Sequence, residues 1–171
     1  MKQKDTPRFA ARLNAFKIGS ETYWPGKNSI TTTDLLARAA TAGVNAADLN
    51  YPDHFMDDSP ADLLKALGDS GMILNGIAMR YYTEPGYKLG AFTHPNTVVR
   101  RAAIDETKRG LDVLAEMGGN LMTLWMGQDG FDYSFQMDYE RAWSNTIDAM
   151  IEVADHNPAI DIALEYKPNE P

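Results

Sequence analysis

The sequence predicts an α/β fold with a parallel sheet, because strand-like and helix-like segments alternate along its 171 residues. Short apolar runs are followed by longer segments of helical periodicity, and the strand signal can be counted five times. That alternation is typical of β/α units joined into a parallel sheet or barrel. The predicted strands are residues 16–19, 44–49, 72–79, 121–125 and 160–165.

Four helical segments lie between these strands, and each begins near a polar residue suited to capping a helix. The candidate caps are Thr31, Thr32, Thr33 and Asp34 for the first helix, Ser59 for the second and Asp138 for the last, and the third helix is predicted to begin at about Asn96. In the last segment, large apolar residues recur at helical spacing and predict a buried face. The residues of that predicted face are Trp143, Ile147, Met150, Ile151 and Ala154.

Composition and charge narrow the classes of function. The chain has 24 acidic and 16 basic residues, a net charge of -8, which opposes attraction to nucleic-acid phosphates and anionic membrane surfaces. It has no cysteine, so any metal would need oxygen or imidazole ligands. No apolar run resembles a signal peptide or is long enough to span a bilayer. We therefore expect a soluble, cytoplasmic protein with neither a nucleic-acid nor a membrane partner.

Five predicted strands are fewer than a closed barrel contains. A (β/α)8 barrel has eight units and usually about 250 residues. A parallel sheet that stops at a fresh strand would expose an apolar edge and uncovered faces. Residues 1–171 are therefore expected to be the N-terminal portion of a single barrel domain, cut short, or to have their open edge covered by another chain.

The strongest chemical signal lies at the end of the fifth predicted strand. Strand alternation places Glu165 and Lys167 on one face, and Pro168 and Pro171 keep the segment extended. Barrel enzymes place catalytic groups at this end of their strands. Taken alone, however, such a pair is more typical of a solvated strand end, where exposed ion pairs are common and weak.

Three segments resemble motifs of the xylose isomerase family. Residues 165–171 read Glu-Tyr-Lys-Pro-Asn-Glu-Pro, where the family signature has Glu-Pro-Lys-Pro-Asn-Glu-Pro. Residues 82–93 resemble the family's aromatic-Thr-His-Pro loop with its Gly-Gly-Phe-Thr end, and residues 124–130 resemble its Trp-Gly-Gly-Arg-Glu-Gly loop. The motifs occur in family order. The resemblance implies a TIM (β/α)8 barrel of the xylose isomerase-like type, represented by about its first five β/α units.

The resemblance also implies a reaction and the residues for it. The family interconverts an aldose and a ketose by a metal-assisted hydride shift, with divalent cations such as Mg, Mn or Co. Glu165 would be a metal ligand, and Glu170 would lie near the metal site. Lys167 would hydrogen-bond the carbonyl oxygen of the sugar substrate. The remaining ligands would follow on strands six to eight.

The sugar pocket is implied in the same way. Trp125 would form a wall, Thr83 would lie near the substrate, and Tyr87 would replace another aromatic pocket residue. Without the resemblance, each of these side chains would be interpreted as ordinary packing. The assembled enzyme is expected to be a homo-oligomer that binds a small sugar.

Two departures from the family pattern leave the substrate open. The family's catalytic histidine ends the second strand, whereas His54 lies several residues later, so a catalytic His54 is one interpretation and a solvated loop residue is the other. Gln128 and Asp129 replace the family's Arg and Glu. A sugar epimerase or dehydratase of the same superfamily therefore stays an alternative, although the Lys-Pro-Asn-Glu-Pro element favours an isomerase. An inactive barrel fragment that serves as a binding or assembly module is a third possibility.

Overall fold

The computed structural model describes residues 8–17, 24–81, 85–127, 129–130 and 133–166. Five strands form one parallel sheet in sequence order, which confirms the predicted fold class. The strands are β1 Ala10–Arg12, β2 Ala46–Tyr51, β3 Ile73–Met79, β4 Leu121–Trp125 and β5 Asp161–Glu165. The helices are α1 Thr32–Thr41, α2 Pro60–Asp69, α3 Thr97–Glu116 and α4 Tyr139–His156. The chain divides into two compact units, Met1–Gly76 and Ile77–Pro171, which are described in turn.

The first predicted strand, residues 16–19, is wrong for residues 16 and 17, and residues 18 and 19 lie outside the described residues. Phe16 ends a 3₁₀ helix, Leu13–Phe16, and β1 precedes it at Ala10–Arg12. Two of the three residues of β1 are alanines, which have little strand propensity, so the local sequence gives a weak signal. The strand is instead defined by its partner, because Ala10 pairs in parallel with Ala46 of β2.

The helices of the first unit begin where the sequence predicts. Thr31 and Ser59 each form a capping box, with Asp34 and Asp62 as the acidic partners. In α2, Leu63 and Leu67 are buried, whereas Leu64 is exposed. The apolar side of α2 is therefore narrower than its pattern of leucines suggests.

In the second unit, α3 and α4 are joined by ion pairs. Glu152 of α4 accepts hydrogen bonds from Arg101 and Lys108 of α3, and Asp112 pairs with His156. The hydrogen bonds from Arg101 and Lys108 lower the pKa of Glu152 to about 2. One flank of α4 is thereby fixed against α3.

The predicted buried face of α4 is wrong. Trp143, Ile147 and Ile151 are more than half exposed, Met150 is half-buried and Ala154 is exposed. The buried side consists instead of smaller residues: Ala142, Ala149 and Val153. At about 100° per residue, this side lies roughly 120° round the helix from the predicted face. The periodicity locates an apolar stripe correctly but does not reveal which neighbour covers it.

Candidate functional site

In the first unit, the chain after β2 folds back so that an imidazole covers the end of the strand. A 3₁₀ helix, Asp53–Phe55, brings His54 over Asn50, whose backbone N–H donates to Nδ1 of the ring at 2.9 Å. Because a backbone N–H can only donate, Nδ1 must be unprotonated, and the ring hydrogen lies on Nε2. That nitrogen donates to Oδ1 of Asn14 at 3.1 Å. His54 is thus a buried, oriented residue rather than a solvated one.

Asn14 and Asn50 complete this polar cluster. Oδ1 of Asn14 also accepts a hydrogen bond of 2.6 Å from Nδ2 of Asn50. Asn50 is fully buried, and among the described residues its own Oδ1 has no hydrogen-bond partner. A buried acceptor without a donor is unusual in a folded protein and indicates a position where a hydroxyl or a water could donate.

A cavity of about 290 Å³ lies beside this cluster. Its polar lining residues are Asn14, Lys17, Thr32, Asp53, His54 and Asp57. The lining therefore includes two carboxylates, one ammonium group and an imidazole whose donor and acceptor nitrogens are assigned. This lining suits a neutral ligand rich in hydroxyl groups better than an anionic one.

In the second unit, two of the predicted site residues are neighbours. Trp125 ends β4 and Glu165 ends β5, and the parallel register pairs them directly. Both are half-buried. The indole ring lies against Gly127, since a Cβ atom there would come within 2.2 Å of the ring. The position of Trp125 therefore depends on the absence of a side chain two residues later.

Tyr87 belongs to a buried aromatic cluster beside α3. Its hydroxyl donates to Glu106 Oε2 at 3.2 Å, and its ring meets Tyr81 edge-on at 5.8 Å. Tyr81 also contacts Phe92, and its hydroxyl lies 2.5 Å from Oγ1 of Thr107. Burial raises the pKa of Tyr81, which stays protonated. These contacts fix the loop after β3 onto α3.

Asp129 joins the loop after β3 to the loop after β4. Its carboxylate accepts hydrogen bonds from the backbone N–H of Ala91 at 3.1 Å and of Thr93 at 2.7 Å, and from the Thr93 hydroxyl at 2.8 Å. Burial raises the pKa of Asp129, while the donors from Thr93 and Ala91 oppose that shift. Gly90 makes room for this arrangement with φ +97°, because a Cβ there would lie 2.5 Å from Oγ1 of Thr93. We call these contacts the Asp129 clamp.

Comparison with known proteins identifies the architecture. The model of the xylose isomerase-like TIM barrel family matches residues 36–171. The chain belongs to this family. It is 28% identical over 145 residues to the xylose isomerase of Thermus thermophilus, covering 80% of this chain and 38% of that protein.

Solved structures agree on the TIM-barrel fold. A D-tagatose 3-epimerase-like protein superposes with a TM-score of 0.70 at 11% identity, covering 96% of this chain and 54% of the other. A D-allulose 3-epimerase from Methylomonas sp. superposes with a TM-score of 0.65 at 15% identity, covering 92% of this chain and 50% of the other. The chain thus spans about half the length of these structures, and less of the curated xylose isomerase.

The outcome for the predicted site residues differs between the two units. The structure places Trp125 beside Glu165, gives His54 two hydrogen-bonded ring nitrogens, and packs Tyr87 against α3. Thr83, Lys167 and Glu170 lie outside the described residues. The sequence interpretation missed the roles of Asn14, Asn50 and Asp129. The motif-like stretch Gly127-Gln128-Asp129-Gly130 was the one available signal for Asp129.

The predicted metal ligands form only part of a set. Among the described residues, no group of three or more His, Asp or Glu side chains could hold a metal ion. Glu165, the one predicted ligand among the described residues, would supply one carboxylate at a strand end, and a complete set would need residues from elsewhere. In the described part of the chain, no helix has the length and apolar character needed to cross a membrane.

Proposed function

We propose that this chain forms part of a sugar isomerase that interconverts an aldose and a ketose by a metal-assisted hydride shift. The observation that carries the proposal is the register pairing of Trp125 with Glu165 at the C-terminal ends of β4 and β5. Barrel enzymes assemble their sites at this end of the sheet. The similarity to a xylose isomerase and the family-like motif around Glu165 give further support.

In this proposal each residue has one task. A divalent cation, Mg, Mn or Co, would polarise the sugar carbonyl and the neighbouring hydroxyl when bound. Glu165 would be one of its ligands, and Glu170 would lie nearby. Lys167 would donate a hydrogen bond to the carbonyl oxygen, where negative charge develops during the reaction. Trp125 would form an apolar wall that keeps water, and hence proton exchange, away from the reacting carbons.

The polar cluster of the first unit would bind hydroxyl groups. Asp53 and Asp57, which line the cavity, could accept hydrogen bonds from sugar hydroxyl groups. His54 is proposed to assist the opening of the sugar ring by proton transfer at Nε2, the ring nitrogen that donates to Asn14 in this structure. Thr83 and Tyr87 are proposed to line the sugar pocket. The assembled protein would be a cytoplasmic homo-oligomer.

A sugar 3-epimerase is the second candidate. Two solved structures that share the fold have names of this kind, a D-allulose 3-epimerase and a D-tagatose 3-epimerase-like protein. Their identities of 15% and 11% carry the fold alone, whereas the Lys-Pro-Asn-Glu-Pro segment at residues 167–171 favours the isomerase. An inactive barrel fragment would turn over neither class of sugar.

Reaction in D₂O separates these functions. The assay uses the complete barrel with added Mg, Mn or Co and a panel of unphosphorylated aldoses and ketoses. A hydride shift moves the substrate's own hydrogen between adjacent carbons, so the isomerised product should carry no carbon-bound deuterium. Epimerisation through a proton abstraction would incorporate solvent deuterium. Deuterium in every product, or full activity after verified metal removal, would contradict the proposed isomerase.

A further inference from the structure

Asn14 lies where the polar cluster of the first unit meets the cavity. It belongs to the 3₁₀ helix Leu13–Phe16, is half-buried and lines the cavity together with His54. Its Oδ1 accepts two hydrogen bonds, one from Nε2 of His54 at 3.1 Å and one from Nδ2 of Asn50 at 2.6 Å. A single amide group therefore contacts the cluster and also forms part of the cavity wall.

One backbone N–H determines the orientation of that amide. The N–H of Asn50 donates to Nδ1 of His54 at 2.9 Å, so the ring hydrogen lies on Nε2. A doubly protonated ring would set a second N–H against that of Asn50, so the same contact favours the neutral ring. The atom of Asn14 that faces Nε2 must then be an acceptor, and in an amide only the oxygen accepts. The hydrogen bonds thus permit one of the two orientations that an asparagine amide can take.

This orientation leaves the amino group of Asn14 for the cavity. In a planar amide the oxygen and the nitrogen lie on opposite sides of Cγ, and here the oxygen faces the cluster. Within the described part of the chain, Nδ2 of Asn14 has no hydrogen-bond partner, although the residue is half-buried and lines the cavity. Because this amino group can only donate, the partner that it requires is an acceptor.

We propose that Asn14 is a substrate-binding residue whose Nδ2 donates a hydrogen bond to one oxygen of the sugar. The inference rests on the proposed function for the class of ligand, and it adds the residue and the direction of the bond. Asp53 and Asp57 line the same cavity and, when ionised, only accept. A sugar hydroxyl can accept from an amino group and donate to a carboxylate, so it suits a cavity that offers both. His54 acts here as a positioning residue, because its tautomer holds the amide of Asn14 in this direction.

The test compares sugars that lack one hydroxyl with sugars that carry fluorine in its place. The complete barrel with added Mn is titrated calorimetrically with unphosphorylated aldoses and ketoses, D-xylose first. The monodeoxy and deoxyfluoro forms of the sugar that binds most tightly follow. Fluorine accepts a hydrogen bond but cannot donate one, and hydrogen does neither. At one carbon, the wild-type protein should therefore bind the fluoro form about threefold more tightly than the deoxy form, within the range for one uncharged hydrogen bond.

Asn14→Asp should reverse this preference. The carboxylate still accepts from His54 and Asn50, but an oxygen replaces the amino group on the cavity side. At the same carbon the deoxy form should then bind more tightly than the fluoro form, because two acceptors would otherwise face each other. The matched control is Asn96→Asp, which adds the same charge at the exposed cap of α3, outside the cavity lining, and should keep the wild-type preference. The ¹⁵N shifts of the His54 ring check that Nε2 stays protonated in each variant.

Three results would overturn the inference: no sugar of the panel binds, the wild-type protein prefers the fluoro form at no carbon, or Asn14→Asp keeps the wild-type preference. A merely structural Asn14 would change the stability of its variants but not this preference. If circular dichroism shows that Asn14→Asp does not fold, Asn14→Ala takes its place, and the preference should vanish. The proposed isomerase is judged separately, because solvent deuterium in every product would contradict it while the binding preference at Asn14 stood.

Discussion

The two regions that contain the candidate site residues are held together in different ways. Around His54, neutral amide and imidazole groups bond to each other beside a cavity, and Oδ1 of Asn50 is left without a donor among the described residues. Around Asp129, a half-buried carboxylate accepts hydrogen bonds from the backbone and side chain of the neighbouring loop. The difference suggests that the first region is built to receive a ligand, whereas the second is a scaffold that fixes two loops.

Removing the carboxylate of the Asp129 clamp should have the largest effect on stability. Asp129→Ala leaves the backbone donors of buried Ala91 and half-buried Thr93 without their acceptor, and we expect a loss of about 2–4 kcal/mol in the free energy of unfolding. Asp129→Asn should destabilise the fold less. Most of these donors bond to Oδ1, and the amide of asparagine still has an oxygen at that position. Urea unfolding measures both, with exposed Asp155→Ala as the control. If Asp129→Ala left the free energy of unfolding nearly unchanged, the Asp129 clamp would not be what holds these two loops together.

Removing the acceptor at the centre of the His54 cluster should cost less. Asn14→Ala leaves Nε2 of His54 and Nδ2 of Asn50 without their shared oxygen. Because the cavity beside them can admit water, which can replace a lost hydrogen-bond partner, we expect the free energy of unfolding to fall by about 1–2 kcal/mol in the same measurement. If Asn14→Ala lowered the free energy of unfolding as much as Asp129→Ala, water would not be replacing the lost partner, and the two regions would not differ as described.

The smallest effect is expected at Gly127, where the change is local. A methyl group there would push against the indole of Trp125, and we expect Gly127→Ala to cost about 1 kcal/mol and to shift the tryptophan emission. Gly68→Ala in α2 is the control, because its Cβ meets nothing within 4 Å and should stabilise the helix by about 0.5–1 kcal/mol. An unchanged emission spectrum in Gly127→Ala would show that the ring is not held as described.

Much of this fold was predictable because helix caps and apolar strand segments are recognisable in short stretches of sequence. Caps such as Thr31, Ser59 and Asp138 mark the helix starts, and the apolar run of β4 gives its bounds. The position of β1 and the orientation of α4 were not predictable in this way, since both depend on which element lies alongside. Pairing with Ala46 defines β1, and burial of Ala142 and Ala149 orients α4.

Some contacts of the candidate site residues were likewise predictable from local sequence, and others were not. The register of Trp125 with Glu165 follows from two strands that the sequence located, so their proximity was foreseeable. The contacts of His54 with Asn14 were not, because these residues are 40 positions apart and their meeting depends on the 3₁₀ helix after β2. The Asp129 clamp depends in addition on the backbone of residues 91–93, whose donors have no sequence signature.

The central claim is that Glu165 lies in a metal-dependent sugar site at the end of β5. Calorimetric titration of the complete barrel with Mn tests it most directly. Glu165→Gln keeps the side-chain shape but removes the charge, so metal affinity should fall by at least about tenfold, the lower end of the loss seen even for groups that only support a ligand. Lys167→Met should bind Mn normally while its turnover falls by about 10²-fold. Wild-type metal affinity in Glu165→Gln would contradict the account.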